Sequence, residues 1–173
     1  YAVVDDFESY SGEEGQEIFM TWFDGYGGDT TLGGSTTGHF DGPFVETTIV
    51  NPGTDSSQSM PISYDNDGSF VNIDGKTNSP TFSEVIREFD TPQDWTAGGI
   101  QTLSLSVFGG TGGSGQLYLK INNTKVISAI DIQRAGWQTW IVDLSIVNGN
   151  LQDVTSLAIG VENGMGAGFL YID

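Results

Sequence analysis

The chain has 173 residues, 23 acidic and five basic side chains, a formal net charge of −18 and no cysteine. Such a field repels phosphate backbones and anionic bilayer surfaces, which sets nucleic acid and anionic membranes outside the expected partners, and no apolar run approaches membrane-spanning length. The absence of thiols excludes disulfide staples, thiolate metal sites and thiol chemistry.

The length suits one domain over residues 1–173 with one full core. Twenty-five glycines, few leucines and many Val, Ile, Thr, Phe and Tyr favour strands and turns over helices. The first expected strand covers about 3–10, with Phe7 pointing inward and Asp6 and Glu8 sharing the opposite face. The second, about 17–23, puts Ile18, Met20 and Trp22 on one face. Strands follow at about 44–50 and 58–64. Residues 65–79 read as a polar insert, and Asp65-Asn66-Asp67-Gly68 and Asn72-Ile73-Asp74-Gly75 lack the full spacing of a calcium loop and read as turns. At 81–89, Phe82, Val85, Ile86 and Phe89 have helical spacing, but an isolated helix would need its own docking groove, so a strand is expected. Leu103/Leu105/Val107, Leu117/Leu119/Ile121, Trp140/Val142/Leu144 and Leu157/Ile159/Val161 each alternate with outward residues, and a last strand covers about 167–173. Turn dipeptides such as Asp24-Gly25, Asp41-Gly42 and Asn163-Gly164 separate them. The expected fold is all-β: a two-sheet antiparallel β-sandwich of jelly-roll type.

First and last strands of a sandwich commonly lie side by side. Asp6, Glu8 and Asp173 would then converge at one edge, where three carboxylates repel unless a cation sits among them. Calcium is the expected structural cofactor, and solvated edge carboxylates are the alternative. The segments Asp5-Asp6-Phe7-Glu8, Trp22 and Leu170-Tyr171-Ile172-Asp173 resemble carbohydrate-binding modules of the calcium-containing galactose-binding-like sandwich type. The resemblance implies a structural calcium held by Glu8 and Asp173; Asp6 is added from strand geometry. The family usually continues past this aspartate.

A sugar site needs exposed aromatic platforms ringed by planar polar groups. Trp140 and Trp95 are expected in the core and Trp137 under a loop. Trp22 shares a face with Ile18 and Met20, which suggests core, but with Tyr26 it also flanks the acceptor-rich loop 24–29. Arg87 has a planar fork that suits vicinal hydroxyls; an ion pair with Glu84, Glu88 or Glu46 is the competing reading. His39, the one histidine, lies in a loop. The candidate ligand-binding set is Trp22, Tyr26, His39, Arg87 and Glu84.

Hydrolysis would need two carboxylates about 5–9 Å apart, for which Glu46 and Glu84 are the available pair. A lyase would need bases that are scarce here, and no nucleophile elbow or zinc-helix motif is present. The expected function is a non-catalytic polysaccharide-binding module, monomeric, cut from or processed out of a larger extracellular bacterial protein and serving to target it to a neutral glycan. A calcium-stabilised adhesive domain without sugar binding is the alternative, and a small polysaccharide hydrolase or lyase the third.

Overall fold

The computed structural model describes residues 2–173. Twelve strands form in chain order: β1 (Trp22–Phe23), β2 (Ser35–Thr37), β3 (Met60–Asp65), β4 (Phe70–Val71), β5 (Thr77–Asn78), β6 (Phe82–Gln93), β7 (Thr102–Gly109), β8 (Gln116–Ile121), β9 (Thr124–Ile127), β10 (Gly136–Asp143), β11 (Val154–Glu162) and β12 (Ala167–Ile172). The helices are four single 3-10 turns. One sheet has the order β1-β6-β11-β8-β9, the second β10-β7-β12-β3-β2, and β4 and β5 form a small ribbon. Every pairing between these strands is antiparallel. The expected two-sheet sandwich is thus formed.

Period-two alternation builds the core. Val85, Leu119, Ile159 and Val161 from the first sheet meet Met60, Ile62, Val107, Leu170 and Ile172 from the second, all essentially buried. Trp140 and Val142 point into the same cluster. Strand β6 settles the 82–89 ambiguity: Val85 faces inward on a twelve-residue strand paired with both β1 and β11. Tight turns follow the sequence signals. Asn122 adopts φ 53 in the two-residue β8–β9 hairpin, a left-handed conformation that asparagine tolerates.

Three expected strands are not formed as read. Residues 3–10 make turns, because the Asp5 and Asp6 carboxylates accept the N–H groups of Phe7 and Glu8, two and two residues on, and remove them from any ladder. Phe7 still points inward, but from a left-handed φ of 60, packed between Tyr10 and Trp22. Residues 17–21 form a 3-10 turn ahead of a short β1. Residues 44–50 keep only an isolated bridge from Glu46 to Ser59. Strand β12 therefore lies between β7 and β3, not beside an N-terminal strand.

Candidate functional site

The outer face of the second sheet carries aromatic residues that the core leaves out. Leu170 and Ile172 point inward, so alternation sends Phe169 and Tyr171 outward. Val107 inward likewise sends Phe108 outward, and Trp140 inward sends Trp137 outward. Strand register aligns Trp137 with Phe108, Phe108 with Tyr171, and Tyr171 with Pro61. Three inter-strand steps give this row a length of about 14 Å. Phe108 meets both Trp137 and Tyr171 edge to face, at 5.6 and 6.0 Å between centroids.

The segment 44–59 crosses this face. Trp137 Nε1 donates to the Val50 carbonyl at 2.9 Å, and Asn51 Nδ2 to Ser106 Oγ at 2.9 Å. Thr54 and Ser56 hydroxyls donate to the Asp173 carboxylate at 3.0 and 2.7 Å. On the β2 side the chain rises as a small hairpin, closed by the His39–Pro43 bridge and by Asp41 at φ 53.

Between hairpin and segment lies a cavity of about 230 Å³. Its floor is Phe169, Tyr171, Pro61, Ser63 and Thr36, and its walls are Gly38, His39, Phe40, Phe44 and Glu46. Phe40 is 70% exposed and Phe169 48% exposed, so two aromatic faces stand in solvent at its mouth. Glu46 is 8% exposed, and its Oε1 accepts from the Thr48 and Ile49 N–H groups at 2.5 and 2.9 Å. These bonds hold a carboxylate in a largely apolar pocket. Burial, and secondarily the Glu46 charge, push the Tyr171 phenol above its ordinary pKa and keep it protonated. Burial holds His39 below the ordinary imidazole range. Its ring stacks on Phe19 at 3.9 Å and leans on Tyr26 at 4.9 Å. Behind this wall the buried Asp24 accepts from Gly27 and Thr37 N–H at 2.8 and 2.7 Å, tying the Tyr26 loop to β2. Burial outweighs these bonds and raises its carboxyl to about 6.

Of the five expected ligand residues, only His39 lines the cavity, and Tyr26 packs against its ring. Trp22 is 1% exposed and is a core residue; its Nε1 donates to Asp5 at 2.9 Å, so it offers no face to a ligand. Arg87 is held by the Asp5 carboxylate and the Val4 carbonyl, which is an ion pair with a partner the sequence did not single out. Glu84 is buried on the outer face of the other sheet, bonded to Tyr118 Oη at 2.7 Å and Lys120 Nζ at 2.6 Å. Glu46 and Glu84 therefore lie on opposite faces of the sandwich and make no hydrolytic pair. Glu46 is the one carboxylate among the described lining residues. Phe40, Phe44, Phe169 and Tyr171 were missed. The alternation in Phe169-Leu-Tyr-Ile was the available signal, since two aliphatic residues facing in place two aromatic rings outside.

The expected carboxylate cluster is not assembled. Glu8 accepts from Ser57 N and Oγ and from Gln58 N; burial pushes its pKa up, but these bonds prevail and leave it lowered. Asp173 is held by Thr54 and Ser56 of the same segment. Asp6 instead accepts from Glu8 N at 3.2 Å within its own turn, because the strand that was to align it is absent. Among the described residues no group of three or more His, Cys, Asp or Glu side chains is placed to hold a metal ion. The oxygens around segment 54–58 are nevertheless the hard donors that calcium takes.

The architecture is a two-sheet antiparallel β-sandwich, a fold that solved carbohydrate-binding modules share. A family 30 carbohydrate-binding module superposes with a TM-score of 0.50 at 14% identity, over 82% of this chain and 79% of that one. An exo-beta-agarase superposes with a TM-score of 0.58 at 13% identity over 81% of this chain. The chain spans only 21% of the agarase's length. No family model and no curated protein matches the sequence.

Proposed function

We propose that the chain is a non-catalytic module that seats a neutral glycan in the cavity between Phe169 and the 38–46 hairpin. The observation that carries this reading is the pairing of solvent-facing rings, Phe40 and Phe169, with a fixed carboxylate and a protonated phenol at one cavity. Sugar rings offer apolar C–H faces to such rings and hydroxyls to such polar groups. The charge of −18 opposes sulfated or uronic polymers, which favours an uncharged chain. One carboxylate in the lining supports binding over hydrolysis. The small share of the agarase that the chain spans supports a role as one module of a longer extracellular protein.

A structural calcium belongs to the same proposal. Glu8 and Asp173 would hold it across segment 54–58, tying the N-terminal turn to β12. Affinity electrophoresis through gels containing agarose, xylan, β-glucan or mannan tests the main reading. Retardation by at least one neutral polymer, and none by an alginate or carrageenan gel, is expected. Free migration of the folded protein through every gel refutes it.

A further inference from the structure

We propose that the cavity receives the end of a glycan chain and not a stretch of its middle; this rests on the glycan-binding reading above. The aromatic row that crosses the sheet is long enough for an extended ligand, yet the cavity does not follow it. It stops at Tyr171. Beyond Tyr171, Phe108 and Trp137 interlock edge to face, and the Trp137 N–H is spent on the Val50 carbonyl. A ligand continuing along the row would have to displace the segment at Val50 that the Trp137 N–H holds.

The two flanks are closed as well. On the β2 side stands the 38–44 hairpin, held by Phe44 N–H to the Gly38 carbonyl at 2.7 Å and Phe40 N–H to the Gly42 carbonyl at 2.9 Å. On the third side Glu46 and the turn it caps fix the start of the crossing segment, which is pinned further on by Asn51 and Ser56. The open side is the one beyond Phe169, where Ala167 and Met165 are exposed. The cavity is therefore bounded on three sides and does not run on along the aromatic row.

Its size agrees. At about 30 Å³ per water, the 230 Å³ space holds roughly eight waters. It falls below the 300–1,000 Å³ of sites that take drug-sized ligands. A chain end also carries a hydroxyl that interior units have already used in linkage. Glu46 offers a charged acceptor for it, since its Oε2 accepts from no group among the described residues. An interior unit has that position tied up in linkage and cannot make this particular bond, which gives the site a means of discrimination.

The test uses the whole 173-residue chain and the neutral polymers named above, each before and after partial acid hydrolysis. For a polymer that is retained, depletion isotherms give binding sites per gram. End recognition predicts that halving the mean chain length doubles that capacity, and that short oligosaccharides bind as tightly as the polymer. Capacity unchanged by shortening overturns the inference while leaving glycan binding intact. Absence of binding to every polymer by folded protein overturns the underlying reading and this inference with it.

Discussion

Phe169→Ala removes one platform from the mouth of the cavity. The side chain is 48% exposed on β12, with its neighbours Gly168 and Leu170 buried beneath. A phenylalanine presents about 200 Å² in all, so roughly 100 Å² of this ring is available to a ligand. A sugar covers one face of the ring, about half of that area. At about 25 cal/mol per Å² the contact is worth about 1.3 kcal/mol, close to a tenfold change in Kd. Isothermal titration with an oligosaccharide of the retained polymer measures it, and far-UV circular dichroism checks that the variant is folded. Ile141→Ala is the control, because Ile141 is also exposed on the outer face of this sheet but lies outside the cavity. A folded Phe169→Ala variant with unaltered Kd refutes the reasoning, as does an equal loss in Ile141→Ala.

Asp5→Ala should destabilise the fold by about 3 kcal/mol in urea titration, because it strips Arg87 of its carboxylate and leaves Tyr10 Oη and Trp22 Nε1 without their acceptor; a loss below about 0.5 kcal/mol, the scale of an ordinary surface substitution, contradicts it. Asp24 holds its proton more tightly when folded, with a pKa of about 6 against 3.8. Its contribution is thus full below pH ~4 and lost as pH rises through about 6, worth up to about 3 kcal/mol over that window. Asp24→Asn should flatten that part of the stability profile, and an unchanged slope between pH 4 and 7 argues against it. If calcium bridges Glu8 and Asp173, chelation should lower Tm by several degrees and added calcium restore it; identical melting curves remove the ion from the account.

The sandwich was legible because alternation is a local signal. Leu103/Leu105/Val107 and Leu157/Ile159/Val161 announce their buried face without reference to any partner strand. The N-terminal turns were not legible. In Asp5-Asp6-Phe7-Glu8 the same alternation is present, but Asp side chains compete for the backbone N–H groups, and that competition is decided by what Asp5 meets across the fold: Tyr10, Trp22 and Arg87. The error then passed to the site, since Asp6 entered the carboxylate set only through strand geometry. Arg87 was read as a ligand group for its planar fork, with Glu84 beside it in the same set. Their partners Lys120 and Asp5 lie far away in sequence, and only the assembled sheets bring them together. The cavity depends on long-range register too, as residues 36–46, 61–63 and 169–171 converge through the β12–β3–β2 pairing.

The most direct test of the binding face is the set of backbone amide shifts recorded by NMR as the retained oligosaccharide is added. The account predicts that perturbations gather at 36–46, 61–63 and 169–171 while Lys120, Lys125 and their neighbours on the opposite sheet stay still. Perturbations centred on that opposite sheet, or spread along the full Trp137–Phe108–Tyr171 row, would contradict it.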